Sequence, residues 1–166
     1  IYAEWAEGDI DDFVPGGGNI LAASTMHPLG RRVDGVDGEQ NFVLAHPANL
    51  GADGSIDLFA DIDEGDRLIR MRGTAESLVS RAGRVATSAL RSGGVEADSI
   101  AGALVVYCAG CMLAVQDEME GVVEQMRSAL GGHPFLGTFT FGEQGCFVGG
   151  DNYHGNLMIS VVAFES

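Results

Sequence analysis

A chain of 166 residues with 46% apolar content is long enough to bury a core of its own, which places it in the globular class. Its 24 acidic residues against 9 basic ones give a formal charge of −15, a field that repels phosphate backbones and anionic headgroups, so neither nucleic acid nor a membrane surface is an expected partner. Every basic residue is arginine, and the absence of lysine excludes a phosphate-binding P-loop, a kinase-type lysine and a Schiff-base cofactor.

Along the chain, Ile1 to Ala6 is apolar and aromatic but too short to classify, and Pro15-Gly16-Gly17-Gly18 forms a turn. Residues 19–40 read as loop with short strands, and Asp34-Gly35 and Asp37-Gly38 offer the positive-φ residues that hairpin turns use. Strands are predicted at Asn41–Ala45, Ile56–Asp61 and Arg67–Arg72, arranged as an antiparallel meander with turns at Asp53-Gly54-Ser55 and Asp63-Glu64-Gly65-Asp66. Neither acidic turn meets the calcium-loop pattern with its Glu at position twelve, so both read as solvated turns rather than metal sites.

Thr74 stands as the N-cap of an amphipathic helix that aligns Leu78, Val79, Ala82, Val85, Ala86, Ala89 and Leu90 and ends at Gly93-Gly94. The run Ala101–Tyr107 lacks polar alternation, which predicts a strand buried on both faces near a sheet centre. A second helix, about Ala114 to Leu130, aligns Val115, Met119, Val122, Val123, Met126 and Leu130, a methionine spacing that reads as core packing. Strands follow at Phe135–Phe141, Cys146–Val148 and Asn156–Phe164. The order predicts a single α+β domain over residues 1–166, with a mixed, largely antiparallel β-sheet, two principal helices and a β-α-β-α-β central segment.

Three cysteines, an odd number, without a leading apolar signal segment, read as reduced thiols in a cytoplasmic protein. A chain that opens at Ile1 rather than Met is expected to be a fragment of a longer protein. Cys108-Ala109-Gly110-Cys111 lies between strand and helix, where a thiol feels the helix dipole and acidifies. Redox chemistry, small-residue packing and ligand contact are all open readings of this C-x-x-C. No further Cys or His completes a zinc site at characteristic spacing. A nucleophilic cysteine would need a histidine base, for which His46, His133 and His154 qualify by residue type alone, and His27, His46 and His133 each precede a proline, a turn context. Glu143, after Gly142 at the end of an apolar strand, either faces solvent or is buried with a partner, an amine-bearing ligand or an arginine such as Arg67, Arg70 or Arg72. Asn156 supplies a ligand contact or a turn hydrogen bond.

The stretches HPANLGADGSIDLFADIDEGDRLIRMRGTAESL, GALVVYCAGCML, PFLGTFTFGEQG and NYHGNLMISVVAF, in that order, resemble the C-terminal FIST domain, named for F-box and intracellular signal transduction proteins. The resemblance spans about Ile1 to Phe164. It implies a non-catalytic cytoplasmic domain that senses a small molecule such as an amino acid, with no cofactor and no metal, and that partners an N-terminal FIST half, absent here, or a signalling protein. Its pattern carries Cys108, the pair Gly142-Glu143 and Asn156, and implies an arginine where this chain has Cys111. The expected ligand-binding residues are Cys108, Ala109, Gly110, Cys111, Phe139, Gly142, Glu143 and Asn156, the turn's N–H groups holding a ligand carboxylate and Glu143 its amine. Two rival readings are a thiol enzyme, redox or nucleophilic, centred on Cys108, and a protein-interaction scaffold.

Overall fold

A computed structural model of the chain describes residues 1–34, 40–146 and 152–166. In chain order the elements are α1 (Tyr2–Trp5), β1 (Gly18–Asn19), α2 (Leu21–Ser24), β2 (Leu29–Asp34), β3 (Gln40–Ala45), β4 (Pro47–Leu50), β5 (Ile56–Leu58), β6 (Leu68–Arg70), α3 (Ala75–Gly93), β7 (Ile100–Cys108), α4 (Ala109–Ala114), α5 (Met119–Ala129), β8 (Phe135–Thr140), β9 (Glu143–Cys146), β10 (Asn152–Gly155) and β11 (Ile159–Glu165). The fold is α+β, and every strand pairing with a described register is antiparallel except β7 with β8. The chain divides into two compact units: residues 1–73 with 144–157, and residues 74–143 with 158–166.

The first unit holds three small sheets, in strand order β1-β4-β5, β3-β2-β6 and β10-β9. Tyr2, Ala6, Ile10, Ile20, Leu29, Ala45 and Ala60 form its buried core. The predicted strands exist, but not as a meander: β3 and β6 flank β2, while β5 pairs with β4. Several strands are not predicted, β1, β4 and β10 among them, and β2 falls in a stretch read only as loop with short strands. β2 carries Gly30, Arg31 and Arg32 where an apolar alternation would announce it, and β4 opens on Pro47, a position a proline tolerates as the first residue of a strand. The turn at 53–55 is real, with Gly54 at φ +85° and the Asp53 side chain accepting from Ser55 N–H and Oγ. So is the turn at 63–66, where Asp66 accepts from the Asp63 N–H. The reading of a hairpin turn at Gly35 and Asp37-Gly38, and that of Val148 as strand, lie outside the described residues. Arg70 and Arg72 both pair with Glu7, and Arg67 is exposed.

The second unit is built on the sheet β11-β7-β8. Thr74 caps α3 as the sequence indicates: its Oγ1 accepts from Ser77 N–H while Ser77 Oγ accepts from Thr74 N–H, and Gly94 at φ +65° closes the other end. Leu78, Ala82, Ala86 and Leu90 turn inward. α3 packs closely on α5, since a Cβ at Gly83 would stand 2.9 Å from the Gln125 carbonyl oxygen. The predicted second helix begins later than expected, at Met119 rather than about Ala114, and a short helix precedes it. α4 stops at Ala114, a 3-10 turn spans Gln116–Glu118, and α5 runs on from Met119; Val115, Val122, Met126 and Leu130 are buried as the spacing requires, whereas Val123 is exposed.

β7 is the central strand of its sheet, yet only one of its faces is covered. Val105 and Tyr107 are buried, while Leu104 lies in a cross-strand row with Leu136 and Val162, all three exposed. The absence of polar alternation therefore marks a sheet with one open apolar face rather than a doubly covered strand. Of the expected β-α-β-α-β segment, β7, α5 and β8 form a parallel crossover, whereas β6 belongs to the sheet of β2. The last strand begins at Ile159, not Asn156, because Leu157 takes φ +55° and breaks the run.

Within the first unit His46 is buried, its Nε2 2.9 Å from the Leu21 carbonyl, and desolvation lowers its pKa from 6.5 to about 4. Below pH 6.5 the unfolded chain protonates this ring and the folded one does not, so stability present above pH 6.5 is lost as pH falls towards 4, by up to about 3 kcal/mol. Urea unfolding of the parent and of His46→Gln at pH 7, 6 and 5 is expected to show a steeper decline for the parent. Parallel declines would remove His46 from the account.

Candidate functional site

Seven of the eight expected site residues belong to the second unit, and the reason is local. β7 ends at Cys108, whose backbone N–H donates to the Met158 carbonyl at 3.1 Å. Cys108 is also the N-cap of α4, with extended φ and ψ of −60° and 126°, so the chain turns into the helix at Ala109 and Gly110, both buried. Cys111, one turn on, is 1% exposed, and Cys108 is 4% exposed.

On the neighbouring strand, β8 runs parallel to β7 with Thr140 opposite Cys108. Gly142 then adopts φ +82°, a left-handed conformation that costs a side chain about 1 kcal/mol or more, and this reverses the chain so that Glu143 returns beside the strand it has left. The Glu143 carboxyl is 2% exposed. Its Oε1 accepts from Thr140 Oγ1 at 3.0 Å, and its Oε2 accepts from Met158 N–H at 3.4 Å. Among the described residues no arginine or histidine pairs with it. The arginines considered from the sequence are spoken for or exposed.

The two thiols are linked. The Cys111 side chain hydrogen-bonds to Cys108 and, against burial, brings the Cys108 pKa down from 9.0 to about 7. The backbone N–H groups of Cys111 and Gly110 pull in the same direction, and the charge of Glu143 pushes the other way. Cys111 is driven upward, first by that hydrogen bond and then by burial, with Arg81 of α3 opposing. Arg81 was not legible in the sequence, because it stands on a helix with no motif of its own.

Tyr107, directly before Cys108, is buried with its hydroxyl unpartnered, and burial lifts its pKa to about 12. Phe139 meets its ring edge-on at 6.1 Å and is half-exposed. Asn156 belongs to the first unit: its Oδ1 accepts from His46 N–H at 3.0 Å, its N–H donates to the Leu44 carbonyl and its Nδ2 to the Gly155 carbonyl. Its side-chain oxygen and amide are thus used in joining strand ends. Among the described residues no histidine ring hydrogen-bonds to either thiol, and no group of three Cys, His, Asp or Glu could hold a metal ion. An open groove of about 560 Å³ on α3 and α5, lined by Ser80, Arg84, Thr87, Arg91, Gln125 and Ser128, contains none of the expected site residues.

The family model of the FIST C domain matches residues 1–146. The chain belongs to the FIST C domain family. Neither a search of curated proteins nor one of solved structures found a match. FIST C is a signal transduction family, and the matched range includes Cys108, Gly142 and Glu143 but stops before Asn156. No helix among the described residues of this FIST C domain is long and apolar enough to cross a membrane.

The shared proton between the thiols has a measurable consequence. Alkylation of the folded protein by iodoacetamide, followed by peptide mapping, is expected to modify Cys108 with a midpoint near pH 7 and to leave Cys111 unmodified until the chain is denatured. A midpoint at the free-thiol ~8.5 would contradict the geometry.

Proposed function

We propose that this FIST C domain senses a small molecule bearing an amine, an amino acid being the simplest case, and that Glu143 is the group that receives it. The observation that supports this reading is a carboxyl group 2% exposed with two neutral hydrogen-bond donors and no cationic partner among the described residues. Burying such a group without a counter-charge costs several kcal/mol, and a ligand ammonium is the natural complement. The Tyr107 hydroxyl, buried without a partner, is a second group left for a ligand oxygen.

As a signalling domain it would pass the bound state on through a partner, either an N-terminal FIST half or a separate signalling protein in the cytoplasm. The nucleophilic-enzyme reading lacks its base, since the histidine bonds described go to Asp9, Thr25 and Leu21.

Ligand binding stabilises the folded state by mass action, about 2.7 kcal/mol at a hundredfold excess over Kd. A thermal-shift screen of the twenty amino acids and simple amines is expected to return at least one stabiliser whose shift disappears in Glu143→Gln. The reading fails if no amine shifts the parent, or if the shift survives that substitution unchanged.

A further inference from the structure

We propose that Cys108 and Cys111 are a thiol–disulfide exchange site that closes to an intramolecular disulfide on reaction with a low-molecular-weight disulfide. The two residues sit at the first turn of α4 three positions apart, which on helical geometry places their Cα atoms about 5 Å apart, inside the 4.4–6.8 Å that a disulfide spans. Both side chains are buried at that turn, Cys108 4% and Cys111 1% exposed, with Cys108 at the N-cap and Cys111 one turn on. Neither thiol is tied to a histidine or a metal group among the described residues.

The division of labour follows from the same geometry. Cys108 carries the thiolate character and attacks one sulfur of the disulfide RSSR, forming the mixed disulfide Cys108–S–S–R and releasing RS⁻. Cys111 gives up its proton, attacks the Cys108 sulfur and expels the second RS⁻. In sum the protein dithiol loses two electrons and two protons, and RSSR becomes two RSH. Closure also removes the thiolate that stands beside Glu143, so the charge of the site changes with its oxidation state. Both thiols are buried, and the exchange proceeds through an opening of the short helix α4. The site stands whether or not Glu143 receives an amine.

The sequence makes the test clean. Arg91 and Arg127 bracket residues 92–127 with no lysine or arginine between them, and none follows Arg127, so trypsin leaves Cys108 and Cys111 in one peptide and Cys146 in another. The reduced, folded chain is incubated with excess oxidised glutathione, alkylated and mapped by mass spectrometry. The expected product is the 92–127 peptide short of two hydrogens and unalkylated, restored by dithiothreitol. In Cys111→Ser the same peptide should instead retain one glutathionyl group on Cys108. Two alkylated thiols in the 92–127 peptide of the parent after prolonged oxidation would overturn the proposal, as would cross-linking of that peptide to the one holding Cys146. The parent measurement decides the matter even if the variant does not fold.

Discussion

The second unit hangs on the backbone of Met158. Its carbonyl accepts the N–H of Cys108 at the end of β7, and its N–H donates to the carboxyl of Glu143, which also holds the hydroxyl of Thr140 at the end of β8. The backbone of one residue and one carboxyl thereby join the ends of three strands where the central one turns into α4. Buried backbone groups left without partners cost about 1–3 kcal/mol each, so this arrangement confines Glu143 to one place. The cysteine turn and the glutamate are neighbours because the strand ends are, and the strand ends are neighbours because of this backbone.

That constraint also sets the chemistry. A carboxyl with no cationic partner among the described residues, two thiols sharing a proton and an unpartnered tyrosine hydroxyl are grouped within a few residues of the same strand end. A chain with no lysine cannot answer such a cluster with a flexible ammonium, and the arginine nearest the thiols, Arg81, acts on Cys111 and Tyr107.

The parts of the fold that were legible in the sequence are those governed by local physics. Thr74 and the pair Gly93-Gly94 announced α3, because caps and left-handed glycines act over one turn. The parts that were not legible depend on partners distant in the chain. β2 shows no alternation, since its arginines lie on a strand whose pairing with β3 and β6 settles its fate. The break before α5 carries neither proline nor glycine, and the open face of β7 carries the same Leu and Val that a covered face would. At the site, Cys108 and Glu143 could be placed near one another from their position on strand ends. The bond of Met158 N–H to Glu143 and the use of Asn156 in bonding His46 are matters of angle and distance that spacing alone does not encode.

Native-state amide hydrogen exchange in the parent and in Glu143→Leu tests the role of the Met158 backbone most directly. Leucine keeps most of the volume and removes both acceptor oxygens, so the amides of Met158 and Cys108 should exchange about fivefold faster, the loss of one hydrogen bond of about 1 kcal/mol, while those of α3 hold their protection. Unchanged protection at Met158 and Cys108, or a uniform loss that includes α3, would contradict a strand junction held by that carboxyl.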